Sequence, residues 1–244
     1  MRPPGETKAP VGPDTSQSID LYWLPLGAGG HSVRLNGRVF EAIQATRERR
    51  SRQALYHAAL EVRSSAGRFV IEVTPAAAAG AERGVVSEGA VGSRSLGRFR
   101  LFRYELRRWK DGVIPDVDEA VSSPLRLTDD SNAVKSMLEL VPLVPTSVWG
   151  RDELRAGEMW TSNSVVSWLI ERSGIEVESV RLPAGGRAPG WAAGVETARR
   201  ETQREQQRER AFAVVLSCAS RSVASGEPVS EAAEQRSPTL LAIP

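Results

Sequence analysis

Apolar residues recur along this chain with two periods. Over residues 159–174, MWTSNSVVSWLIERSG, Val165, Trp168 and Leu169 fall on one face at helical spacing. Thr161 or Ser162 can cap the start of that helix, and Gly174 can end it in a left-handed turn. A second helix is predicted after Asp129 or Asp130, with Val134, Met137, Leu138 and Val141 inward and Pro142 and Pro145 closing it. A third starts at Asn36, carries Val39, Phe40 and Ile43 on one face, and dissolves into the charged run Arg47, Glu48, Arg49, Arg50 and Arg52, which reads as a solvated end. The strand candidates are residues 19–26, IDLYWLPL, and 56–74, YHAALEVRSSAGRFVIEVT, the latter as two strands about a turn at 64–67. Further strands are expected at Val85 and Val86, over 98–109 with a bulge near Leu101, and over 175–182. These elements predict an α+β fold in which an antiparallel sheet packs against helices.

Composition narrows the class without choosing a partner. The 244 residues are 41% hydrophobic, enough for one large core or two small ones. Basic and acidic residues number 32 and 30, so the net charge is only +2, and the pI of about 9.0 overstates the basicity. Only Lys8, Lys110 and Lys135 are lysines; the other basic residues are arginine. The single cysteine, Cys218, excludes an internal disulfide framework and a multi-cysteine metal site, and it fits a reducing cytoplasm. The proline-rich start has no apolar run of a secretory signal, and nothing later approaches the roughly 20 apolar residues of a membrane span. The expectation is a cytoplasmic protein with no cofactor and no membrane span. Residues 1–18 read as a disordered leader, 19–196 as one domain, and 197–244 as a charged appendage without a catalytic role.

Three constellations carry possible chemistry. Asn163 and Ser164 fall in the first turn of the 162–173 helix, where free N–H groups and the positive end of the dipole favour a nucleophile or an oxyanion. The same residue types also serve as ordinary caps. If Ser65 and Ala66 centre the hairpin turn, His57 faces Thr74 and Glu72 lies one diagonal step away on the same face, so Glu72 can orient His57 as a general base. Arg98, Arg100, Arg103, Arg107 and Arg108, interleaved with aromatics, form the one feature for a nucleic-acid reading; the acidic residues elsewhere argue against it, and no nucleic-acid partner is expected. Two weaker signals are the glycine-rich turn at Gly27, Gly29, Gly30 and His31, which lacks a complete phosphate-loop pattern, and Asp116, Asp118 and Glu119, which match no complete calcium loop.

The order of these motifs adds a resemblance. A strand-borne histidine in YHAALEV, a second strand with a polar residue in FVIEV, and a later capped helix SNSVVSWLIERSG resemble the circularly permuted NlpC/P60 group of the papain-like superfamily, which includes the lecithin retinol acyltransferase-like proteins. Residues 19–196, through LYWLPLGAGGHSVRLNGRVFEAI, RWKDGVIPDVDEAV, VWGRDEL, MWTSNS and GRAPGWAAG, also look like a family of actinobacterial proteins, a likeness that implies no activity. The first resemblance implies a papain-like fold with His57 as general base, Glu72 as its orienting residue and Ser164, supported by Asn163, where that group has a cysteine. It implies amide or ester hydrolysis or acyl transfer through Ser164, or a degenerate relative without activity. The alternative is a non-catalytic module that holds a peptide, acyl or glycan ligand in the same cleft beside Trp160, Trp168 and Trp191.

Overall fold

The computed structural model describes residues 16–26, 53–76 and 84–225. The leader, the glycine turn with His31, the helix expected from Asn36 and its arginine run, and the end of the C-terminal appendage lie outside them. The chain divides into two units, Met1–Arg199 and Arg200–Pro244.

The first unit is an α+β body built on a mostly antiparallel sheet. Its strands are β1 (Ser18–Pro25), β2 (Ala54–Ser64), β3 (Gly67–Pro75), β4 (Val85–Ala90), β5 (Arg103–Lys110) and β6 (Val121–Thr128), in the order β4-β5-β3-β2-β1-β6; a two-residue β7 (Gly186–Arg187) pairs in parallel with the start of β2. The hairpin register is the expected one, with Ser64 opposite Gly67 and Leu60 opposite Ile71. Gly67 sits at φ +120°, a conformation that favours glycine.

Each strand face has a distinct composition, and the difference decides where the helices go. On β2 the even positions Tyr56, Ala58, Leu60 and Val62 are apolar and join Ile19, Leu21, Trp23, Ile71 and Leu106 in the main core. The helices α1 (Ser131–Leu140) and α2 (Ser162–Arg172) cover this face with Val134, Met137, Val165, Val166 and Leu169. Asp130 caps α1 by accepting from the Asn132 N–H, and Thr161 caps α2 by accepting from that of Asn163. Helix α3 (Trp191–Ser225) begins in the first unit and approaches α2 through small residues. A Cβ on Gly194 would lie 2.0 Å from the Ser164 carbonyl oxygen and 2.1 Å from Ser167 Oγ, so only glycine permits that separation.

The odd positions His57, Ala59, Glu61 and Arg63 lie on the other face. There a small apolar cluster of Leu24, Ala59, Val70 and Ile114 is followed by an array of opposite charges. Arg63 and Arg68 both pair with Glu61, Arg126 with Asp20, and Arg107 with Glu105.

Two expected elements take other forms, and one strand appears that was not expected. Residues 98–102 are not strand: two turns of 3-10 helix, Leu96–Arg98 and Arg100–Phe102, precede β5 because their apolar side chains find no core and stay exposed. The 175–182 segment holds a 3-10 turn, Val177–Ser179, instead of a strand. Strand β6 was unexpected, since Pro124 argues against a strand; β6 is an edge strand, where a missing N–H costs no ladder bond. The second unit is helical as far as it is described, and its side chains from Gln203 to Val214 are exposed. Among the described residues no helix is long and apolar enough to cross a membrane.

Candidate functional site

The start of α2 is closed upon itself. Ser164 is fully buried; its Oγ accepts from the Thr161 N–H at 2.9 Å and donates to the Gly190 carbonyl at 2.7 Å. Together with the Thr161 cap this makes a reciprocal capping box, so the hydroxyl is spent on the helix terminus. Thr161 Oγ1 donates to the Pro189 carbonyl at 2.7 Å. Asn163 Nδ2 donates to the carbonyls of Tyr56 and Pro189 at 3.0 and 2.9 Å, and its buried Oδ1 has no partner among the described residues. Four polar side chains, with Ser167 donating to the Trp191 carbonyl, thus clasp the start of α3 and strand β2 to α2.

The structure does not bring Ser164 and His57 together. Asn163 and Ser164 stand with α2 over the face of Tyr56 and Ala58, while His57 pairs opposite Leu24 on the other face of the sheet. The expected nucleophile and base are separated by the backbone of β2. His57 and Glu72 do share a face, as the hairpin register requires, but each has a different charged neighbour. Burial lowers the His57 pKa to about 4, opposed by the nearby Asp116 carboxylate. Burial raises that of Glu72, opposed by the Arg107 guanidinium. Glu72 therefore belongs to the charged array and does not orient the imidazole.

The tryptophans expected around a ligand are packing residues. Trp160 and Trp168 are 2% and 1% exposed within the core. Trp191 is partly buried and packs on Trp23, with ring centroids 5.1 Å apart. Four of the five arginines of 98–108 are also engaged, while Arg98 lies over the Phe99 ring. Arg107 is buried against Glu105, Arg108 donates to the Leu138 carbonyl, Arg103 meets Glu88 and the Gly97 carbonyl, and Arg100 donates to that of Ala76. They do not form one continuous basic stripe.

An open cleft of about 320 Å³ lies beside the edge strand β4, with Glu88, Gly89 and Ala90 on one wall and Thr146 and Val148 on the other. Three residues build it. Gly89 lacks a side chain where Tyr104 crosses the strand; a Cβ there would meet the ring at 2.2 Å. The Tyr104 hydroxyl donates to the Ser147 carbonyl at 2.8 Å and its ring packs on Trp149, centroids 5.5 Å apart, which pins the far wall. Burial raises the Tyr104 pKa to about 12, so that hydroxyl keeps its proton. Past the cleft, Trp149 covers the edge: its N–H donates to the Ala90 carbonyl at 2.8 Å and its carbonyl accepts from the Gly92 N–H at 3.0 Å. Since outward groups recur at every second residue, the N–H and C=O of Glu88 and the N–H of Ala90 also point away from β5, into the cleft. Among the described residues none of the three bonds to backbone outside the strand pairing of the sheet.

A larger open depression, about 550 Å³, lies between the β2–β3 turn and α1, lined by Ser64, Ser65, Arg108, Asn132 and Lys135. Its Arg108 is already bonded to the Leu138 carbonyl.

Compared with family models, with curated proteins and with solved structures, the chain finds no match in any of the three. The site is accordingly read from its geometry. The glycine signal at Gly89 and the Tyr104 opposite it were not singled out in the sequence, because neither residue type marks a strand edge until the strand order is known.

Proposed function

We propose that the 19–196 domain is a non-catalytic binding module that holds an extended peptide segment of a protein partner along the edge of β4. What supports this reading is the set of outward backbone groups at Glu88 and Ala90, facing a cleft whose opposite wall is held in place by Tyr104. Such an edge pairs with an added strand through main-chain hydrogen bonds, and the cleft takes alternate side chains. Arg94 and Arg103 line the cleft and Arg151 lies close to its rim, so the preferred segment alternates apolar and acidic residues.

The order of elements, hairpin strands before a capped helix, is compatible with descent from a papain-like, permuted NlpC/P60-type ancestor. In this proposal the ancestral hydrolysis or acyl transfer has been lost, because the Ser164 hydroxyl is committed to the cap and to Gly190.

A fluorescein-labelled heptapeptide of alternating valine and glutamate should bind the full chain. Glu88→Pro, which removes an outward N–H and no bond to β5, should weaken it at least tenfold. Binding indifferent to that substitution, or labelling of Ser164 by an acyl-type serine probe with loss of the label in His57→Ala, refutes the proposal.

A further inference from the structure

A surface that adjoins the cleft and shares Arg94 and Arg103 with it, but uses none of its backbone groups, stands out by its composition. Residues 96–102, the two 3-10 turns before β5, expose Leu96 by 38%, Phe99 by 50%, Leu101 by 71% and Phe102 by 36%. Four exposed large apolar side chains within seven residues are a concentrated patch, of the kind that marks an interaction site. The surrounding sequence 91–103, VGSRSLGRFRLFR, holds four arginines and no carboxylate.

We propose that this tip docks the domain on an anionic lipid surface. Leu101 and Phe99 are the most exposed apolar groups on it and supply the part that enters the headgroup boundary. Arg98 lies over the Phe99 ring at 4.7 Å, so charge and aromatic face travel together. Arg100 anchors itself through Nε to the Ala76 carbonyl and keeps an exposed guanidinium, whereas Arg103 is held by the Gly97 and Arg98 carbonyls and by Glu88, so Arg98 and Arg100 are the charges turned outward. The carboxylates that meet them are few: Arg103 touches Glu88, Arg94 pairs with Glu153, and Arg100 is 3.9 Å from Glu105. The Arg103–Glu88 and Arg94–Glu153 pairs are open to solvent, and pairs of this kind are weak and exchange readily for lipid phosphates. A headgroup layer supplies phosphates without demanding a fixed spacing, and acyl chains accept Phe and Leu without a matching pocket. A folded protein partner would have to match arginines already tied to the domain's own backbone. The lipid surface therefore fits this tip better.

The test is co-sedimentation of the full chain with phosphatidylcholine vesicles that contain about a third phosphatidylglycerol. The expected result is binding that weakens as salt rises and falls at least tenfold in the Phe99→Ser, Leu101→Ser double variant. Arg98→Glu should lower it severalfold on the anionic vesicles alone. All three positions are exposed, and unchanged circular dichroism confirms that the variants fold. No binding to the anionic vesicles, binding unaltered by the double substitution, or equal binding to pure phosphatidylcholine overturns the proposal. Capture of a protein by the tip in place of vesicles does the same.

Discussion

Gly190 holds its carbonyl 2.7 Å from the Ser164 hydroxyl, and at φ +86° its own Cβ position lies only 2.6 Å from that oxygen. The two residues fix each other: glycine lets the chain turn against the start of α2, and the serine satisfies the carbonyl that this close approach buries. Ser164→Ala should therefore cost roughly 1–3 kcal/mol, because it orphans the buried Thr161 N–H and leaves the Gly190 carbonyl only its longer bond from the Gly194 N–H. Urea denaturation measures the loss, and a stability equal to that of the parent contradicts the clasp.

Gly194→Ala should be more damaging. Its Cβ would meet backbone at 2.0 Å, which no rotamer relieves, so α3 must shift away from α2. The expectation is a loss of about 3 kcal/mol or more, or failure to fold, read by thermal unfolding.

Acid should weaken the fold through His57. Its pKa when folded is about 4, below the ordinary 6.5, so the unfolded chain takes up more protons between those values. Stability is complete above about 6.5 and is lost as pH falls toward 4, by up to about 3 kcal/mol. His57→Gln should flatten that part of the profile, and a profile unchanged by the substitution refutes the assignment.

Glu72 and Arg107 should respond in opposite senses. Burial raises the Glu72 pKa, so its charged form costs stability that is present below the ordinary carboxylate value and lost as pH rises. Glu72→Gln should then leave stability at neutral pH unchanged or improved. Arg107→Met removes the partner of buried Glu105 and should cost roughly 3–5 kcal/mol, measured by denaturant titration. Equal losses in both variants would exclude this division of roles.

Local chemistry made the helices and the central hairpin legible. Asp130 and Thr161 cap where their side chains predict, and the Ser65-Ala66 turn sets the register of β2 on β3. The site was less legible, although one signal was present. Tyr56, Ala58, Leu60 and Val62 form the apolar side of β2, and His57, Glu61 and Arg63 the polar one; a helix with Val165 and Leu169 inward must cover the former. Reading that parity places Ser164 and His57 on opposite faces of the sheet. Residues 98–102 misled for a different reason, since Arg-Phe-Arg-Leu-Phe has a strand's alternation but no core to receive it. Strand β6 stayed hidden behind Pro124, whose tolerance depends on an edge position that only the strand order reveals.

The two margins of the sheet are unequal, and that limits how copies of this chain can join through them. Strand β6 carries a proline and two irregularities in its register with β1, which deny a neighbour a continuous ladder, whereas β4 leaves a short run open among the described residues. Endless stacking needs a head and a tail, and the described residues offer only one of them. Self-association by strand addition through β4 therefore pairs like with like and closes as a two-fold dimer.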